Sequence, residues 1–157
     1  MTDIHILKEA GLFKDLTEKQ LESIARSAQE KVYESEENIF VHGEEAKTLY
    51  VLLDGTVDLK LKAFEDIDLM TSKLTNRGDV FGTASLMVPA LYNVTAKCLE
   101  NTRVLAIDAT ALRGLIDEDA KLGLKIMRRL AQLFFSRLNE TRQGITNLFN
   151  VFRLERP

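Results

Sequence analysis

The sequence predicts an α+β domain, mainly β, in which an antiparallel barrel or jelly roll of short strands is flanked by an N-terminal helix and a long C-terminal helix. Three observations predict it. From about Lys31 to Asp108 the apolar residues fall into short runs or strict alternation, as strands require. Turn signals recur through that stretch at short intervals. On either side the apolar spacing becomes helical, three and four residues apart.

The N-terminal segment comes first. Thr17 followed by Gln20 makes a capping-box start, and Leu21, Ile24, Ala25 and Ala28 then share one helix face. In the middle zone, the buried run Leu49 to Leu53 leads into Asp54-Gly55, a hairpin-turn dipeptide. Thr56 to Lys62 alternates strictly, so Val57, Leu59 and Leu61 are expected to face a core. Asn76-Arg77-Gly78-Asp79 is a second turn cluster. The strands Asn93 to Leu99 and Thr102 to Ile107 are expected to pair across Glu100-Asn101.

The last zone is helical again. A short helix from about Thr110 to Ile116 leads into a long one from about Asp119. Leu122, Ile126, Leu130 and Leu133 form a stripe suited to packing on the roll. Leu124, Met127, Ala131, Phe134, Leu138, Thr141, Ile145, Leu148 and Phe152 form a second stripe with heptad spacing. A helix with two apolar stripes needs two partners, so the second stripe is expected to form a homodimer seam; the alternative is that one chain buries both. The seam centres on Met127, Ala131, Phe134, Leu138, Ile145 and Leu148. The expected organisation is a single domain over 1–157: a helical segment at 1–30, the β-roll at 31–108, and C-terminal helices with the seam at 109–157.

Composition narrows the function classes. The chain is 45% hydrophobic and 29% charged, with a net charge of -3, so no overall basic nucleic-acid footprint is present. No apolar run approaches the ~20 residues of a membrane span, and Met1 to Ala10 lacks a signal core. A cytoplasmic protein that does not engage a membrane is the expectation. One cysteine, Cys98, excludes an internal disulfide and is expected to be a buried, inert thiol. His5 and His42 are the only histidines, and neither sits in a catalytic motif. Zinc, calcium and phosphate-loop spacings are missing as well, so no enzyme activity and no metal site is expected. The acidic clusters Glu34, Glu36, Glu37 and Glu44, Glu45 read as solvated turns. Lys125 with Arg128 and Arg129 reads as a helix face.

Four stretches, in order, resemble the cyclic nucleotide-binding domain family. Leu12-Phe13-Lys14-Asp15-Leu16 before the capped helix is similar to the family's opening. Val41-His42-Gly43-Glu44-Glu45 and Leu49 to Val57 are similar to its glycine-punctuated strand pair. Gly78-Asp79-Val80-Phe81-Gly82 matches the entry to its phosphate-binding cassette. The resemblance implies an eight-stranded antiparallel jelly-roll β-barrel, related to catabolite-activator and protein kinase A regulatory domains. It implies a cyclic nucleotide, cAMP or cGMP, as the ligand and no other cofactor. Many bacterial relatives carry a helix-turn-helix module after the long helix; this chain stops at Pro157, so DNA binding by this chain is not expected.

The cassette gives the candidate site: Phe81, Gly82, Thr83, Ala84, Ser85, Tyr92, Asn93 and Thr95. Gly82 allows a tight turn, and Thr83-Ala84-Ser85-Leu86 reads as one helical turn whose free N–H groups suit a phosphate, or simply as a capped turn. The resemblance implies a glutamate directly after Phe-Gly for the ribose and an arginine nine positions on for the phosphate. Thr83 and Tyr92 occupy those positions. Losing one partner of such a charge pair costs about 2–5 kcal/mol, roughly 30-fold to several thousand-fold in affinity. Tyr92 could donate a hydrogen bond or fill the phosphate's space. Lys97 could supply a replacement charge or be a solvated strand lysine. Leu133 and Phe134 align with the family's base-binding region, where they offer stacking or simply pack in core and seam.

Two functions follow. One is a non-catalytic regulatory domain that binds a cyclic nucleotide weakly, or another small anion. The alternative is a dimeric scaffold or protein-interaction domain that has lost the ligand. A Tyr92 ring plugging the cavity favours the scaffold; an open cavity counts against it.

Overall fold

In the computed structural model, which describes residues 2–64 and 67–154, eight strands lie between helical ends. Met1, Glu65, Asp66 and residues 155–157, Pro157 among them, lie outside the described residues. Helices α1 (Ile4–Glu9) and α2 (Glu18–Ala25) precede the strands. The Thr17 hydroxyl accepts from the Gln20 N–H, and the Gln20 side chain accepts from the Thr17 N–H, so the capping box forms as predicted. Helix α3 (Ala109–Glu118) and the 35-residue α4 (Ala120–Leu154) close the chain. Asp108 caps α3 through the Thr110 N–H, and Asp119 caps α4 through Lys121 and Leu122. Those N–H groups, Leu122's first, hold the Asp119 carboxyl below its ordinary range.

The strands are β1 (Ala28–Tyr33), β2 (Asn38–Phe40), β3 (Thr48–Asp54), β4 (Val57–Phe64), β5 (Ile67–Leu74), β6 (Val80–Phe81), β7 (Thr95–Cys98) and β8 (Thr102–Asp108). They form two antiparallel sheets, ordered β1-β8-β3-β6 and β2-β7-β4-β5. The eight-stranded jelly roll is present, but the barrel is not closed. One reason lies at β6, which contributes two residues before Gly82, at φ 73, turns the chain out of its sheet.

The expected pairing of Asn93–Leu99 with Thr102–Ile107 does not occur. β7 pairs with β2 and β4, while β8 pairs with β1 and β3. The Leu99 N–H is taken by the Thr56 carbonyl and the Cys98 N–H by that of Glu37, so the chain crosses between sheets at Glu100-Asn101. Asp54-Gly55 is likewise a crossover from β3 to β4 and closes no hairpin. The two crossovers touch. A Cβ on Gly55, at φ 104, would lie 2.5 Å from the Thr102 Oγ1 and 2.8 Å from the Asn101 carbonyl oxygen.

Two apolar clusters explain the run Leu49 to Leu53. Leu49, Val51 and Leu53 face α3, α4 and the N-terminal helices, while Tyr50 and Leu52 face the opposite sheet. β8 divides in the same way, with Leu105 and Ile107 helix-side and Val104 and Ala106 between sheets. Val57 and Leu59 are buried as predicted, but Leu61 is 41% exposed. The pairing of β4 with β7 ends at Lys60, and a bulge interrupts its pairing with β5 at Leu59/Lys60, so Leu61 lies beyond the core.

Leu122, Ile126 and Leu130 bury α4 against the roll, and Leu133 packs beside them. The basic patch has a docking task. The Arg129 guanidinium binds both oxygens of Asp15, at 2.7 and 2.9 Å, and Lys125 donates to Gln20. The hydrogen bond from Arg129 holds the Asp15 carboxyl below its usual value. Cys98 is buried, and burial pushes its thiol up.

Gly55→Ala is expected to lower unfolding stability by about 1–3 kcal/mol, through left-handed strain and the collision with the second crossover. Urea denaturation measures this; a loss under ~0.5 kcal/mol, the level of an ordinary surface change, contradicts it.

Candidate ligand-binding site

Gly82 organises the site. It is buried, at φ 73, and a Cβ there would lie 3.0 Å from the Thr48 carbonyl oxygen and 3.1 Å from the Tyr50 ring. Only glycine meets both constraints without strain. The chain then makes a single 3-10 turn, Thr83–Leu86, as the sequence predicts. Beneath it lies an aromatic cluster. Tyr50 stacks on Phe81 at 5.2 Å and on Phe40 at 5.7 Å, and Phe40 stacks on Tyr92 at 3.8 Å between ring centroids.

Tyr92 is held on three sides. Its carbonyl accepts from the Gly43 N–H, and its own N–H donates to the Glu44 carbonyl. Its hydroxyl accepts from the Thr48 N–H at 3.2 Å and donates to the Thr48 carbonyl at 2.7 Å. Burial pushes its phenol far above the ordinary tyrosine value, so it stays neutral. The donor that the sequence offers to a ligand is therefore already in use. Nor does the ring plug the space beside it: a cavity of about 380 Å³ remains open, and Tyr92 is one of its walls.

The predicted site residues divide. Gly82, Thr83, Ala84, Tyr92 and Asn93 line this cavity together. Phe81 is fully buried in the aromatic cluster, and Ser85, also fully buried, donates back to the Gly82 carbonyl at 2.7 Å. Asn93 precedes β7 and does not share a strand face with Thr95, whose hydroxyl accepts from the His42 N–H. Lys97 pairs with Glu36 at 2.8 Å, so its charge is engaged outside the cavity. Leu133 packs with the core rather than the cavity, whereas Phe134 lines it.

Sequence reasoning missed the opposite wall. Arg137, Glu140 and Thr141 of α4 complete the cavity with Phe134. Spacing carried the signal: Phe134, Arg137 and Thr141 recur at three and four residues, on one helix face. The Arg137 Nη2 donates to the Val80 carbonyl at 3.0 Å, two residues before Gly82. Burial pulls the guanidinium pKa down, against the opposing fields of Asp79 and Glu140. Arg137 nevertheless stays charged, as arginine does throughout the ordinary pH range.

A profile for the cyclic nucleotide-binding domain matches residues 30–119. The chain belongs to the cyclic nucleotide-binding domain family. A CRP-like cAMP-activated global transcriptional regulator of Mycobacterium tuberculosis is 23% identical over 143 residues, 91% of this chain. The match spans 62% of that relative's length. A solved protein of Geobacter metallireducens, described as cyclic nucleotide-binding, superposes with a TM-score of 0.78 at 28% identity, over 88% of this chain and 99% of its own. The regulatory domain of Toxoplasma gondii PKA, solved with cAMP, superposes with a TM-score of 0.65 at 21% identity, over 71% of this chain and 42% of its own. Within this family fold, the two positions that the resemblance gives to charged residues hold a threonine on the cavity wall and a clamped tyrosine.

Tyr92→Phe leaves the Thr48 N–H and carbonyl without that partner. It is expected to cost about 1–3 kcal/mol of stability by urea denaturation. A change within 0.5 kcal/mol would show that the clasp contributes nothing.

Proposed function

We propose that this chain is a non-catalytic sensor domain that binds a small ring-bearing anion of the cyclic nucleotide class, cAMP or cGMP, between the Gly82 turn and α4. The observation that carries this reading is the open cavity of about 380 Å³, within the usual size range of ligand pockets. Its lining is mixed, as such pockets require. Phe40, Tyr92 and Phe134 form its aromatic walls, while Thr83, Asn93 and Thr141 offer polar contacts. Family membership supports the same ligand class. A Tyr92 ring plugging the cavity would have favoured the scaffold alternative, and the ring is a wall instead. Thr83 and Tyr92 in place of charges make weak binding the expectation. Isothermal calorimetry with cAMP and cGMP is expected to give dissociation constants in the micromolar-to-millimolar range. Absence of heat at millimolar ligand would remove cyclic nucleotides from consideration.

The reading includes a homodimer in the cytoplasm, paired through α4. Leu138, Ile145 and Leu148 keep the heptad spacing and are 46%, 50% and 57% exposed. From Asn139 to Leu154 every residue of α4 is exposed, Phe149 and Phe152 included, and a second copy of the helix is the matching surface. The inner seam positions have other neighbours, since Met127 packs against the core and Phe134 lines the cavity. Among the described residues no helix is long and apolar enough to cross a membrane. Analytical ultracentrifugation is expected to show a dimer, and Ile145→Glu with Leu148→Glu a monomer. A monomeric unmodified chain would contradict the seam.

A further inference from the structure

Arg137 is half-buried on the wall of a cavity, and among the described residues it makes no ion pair. Arg77, Arg103 and Arg129 differ in this respect, pairing with Glu9, Glu30 and Asp15. A guanidinium carries five N–H donors, and Arg137 uses one on the Val80 carbonyl. That bond sets the guanidinium against the backbone two residues before Gly82, which lines the same cavity. Asp79 and Glu140 act on it only from beyond ion-pair distance, so its desolvation is offset in part, and an arginine cannot escape by losing its proton. An anion entering the cavity would supply the missing partner in a charge-assisted geometry. Phe40, Tyr92 and Phe134 give the cavity aromatic walls against which the ring of a ligand can pack.

We propose that Arg137, carried by α4, is the anion-binding cation of this cavity, so that the helix rather than the roll holds the negative group of the ligand. This rests on the sensor reading above and deepens it. It places a phosphate or carboxylate near Val80 and Gly82, and it makes ligand affinity depend on where α4 sits. A helix displaced from the roll takes the cation with it, so the ligand favours the docked arrangement by the strength of that one contact.

Calorimetry with two probes tests it: cyclic AMP, and adenosine, which keeps base and ribose but has no charge. In the unmodified chain cyclic AMP is expected to bind roughly 30-fold or more tightly than adenosine, the lower edge of what a buried charge pair supplies. Arg137→Gln is expected to bring the ratio within about threefold. Arg137→Lys keeps the charge but loses the planar fork, and is expected to retain an intermediate ratio. Thermal melts of both variants verify folding, and the lysine variant carries the test if the glutamine variant fails to fold. An unchanged ratio in the variants, or equal affinities in the unmodified chain, overturns the inference and leaves the sensor reading standing. Failure of the unmodified chain to bind either probe overturns the sensor reading and the inference with it.

Discussion

The clasp of Tyr92 on Thr48 is the constraint from which the rest of the site follows. One hydroxyl both accepts from the Thr48 N–H and donates to its carbonyl, and the ring lies flat on Phe40. The loop 41–46 ties down the backbone on either side of it. A side chain held this way cannot swing into the cavity, so space beside it stays open. It also cannot answer a ligand, because its donor is spent and its phenol stays neutral. The roll therefore presents a shaped, partly aromatic wall without the cation that the family resemblance implies there.

That deficit moves the electrostatics to the helix. Gly82 brings the backbone close under Thr48 and Tyr50, and Val80 just before it offers a carbonyl outward. Arg137 reaches that carbonyl from α4 and completes the cavity. The same helix is docked at its start by Leu122, Ile126, Leu130 and the Arg129–Asp15 pair, and it runs on with exposed Ile145 and Leu148. One element thus touches the core, the cavity and the proposed subunit seam. A ligand held in the cavity as proposed would contact α4 near its midpoint, at Phe134, Arg137 and Thr141.

Local signals were legible in the sequence. The capping box at Thr17, the turn at Gly78, the left-handed Gly82 and the long amphipathic helix all stand where their spacing put them. These features depend on neighbours within one turn or one strand. Sheet partnership does not, and there the sequence misled. Asp54-Gly55 and Glu100-Asn101 look like hairpin turns, yet both carry the chain between sheets, because the backbone bonds next to them go to distant partners. Leu61 alternates correctly but outlasts its β7 partner. Within the site, five of eight expected residues meet at the cavity: Gly82, Thr83, Ala84, Tyr92 and Asn93. Phe81 and Ser85 turn inward, and the Thr95 hydroxyl goes to the His42 N–H. Arg137 lies beside the heptad stripe, next to Leu138, where a charge reads as surface until the roll is seen to lie against it.

Hydrogen–deuterium exchange reports the roll and the helix separately, and so shows whether a ligand sits between them. Millimolar cyclic AMP is expected to slow exchange both across Val80–Leu86 and along α4 from Phe134 to Thr141, with the two segments protected at the same ligand concentration. Protection of the turn without the helix, or of neither, would contradict a ligand held between them.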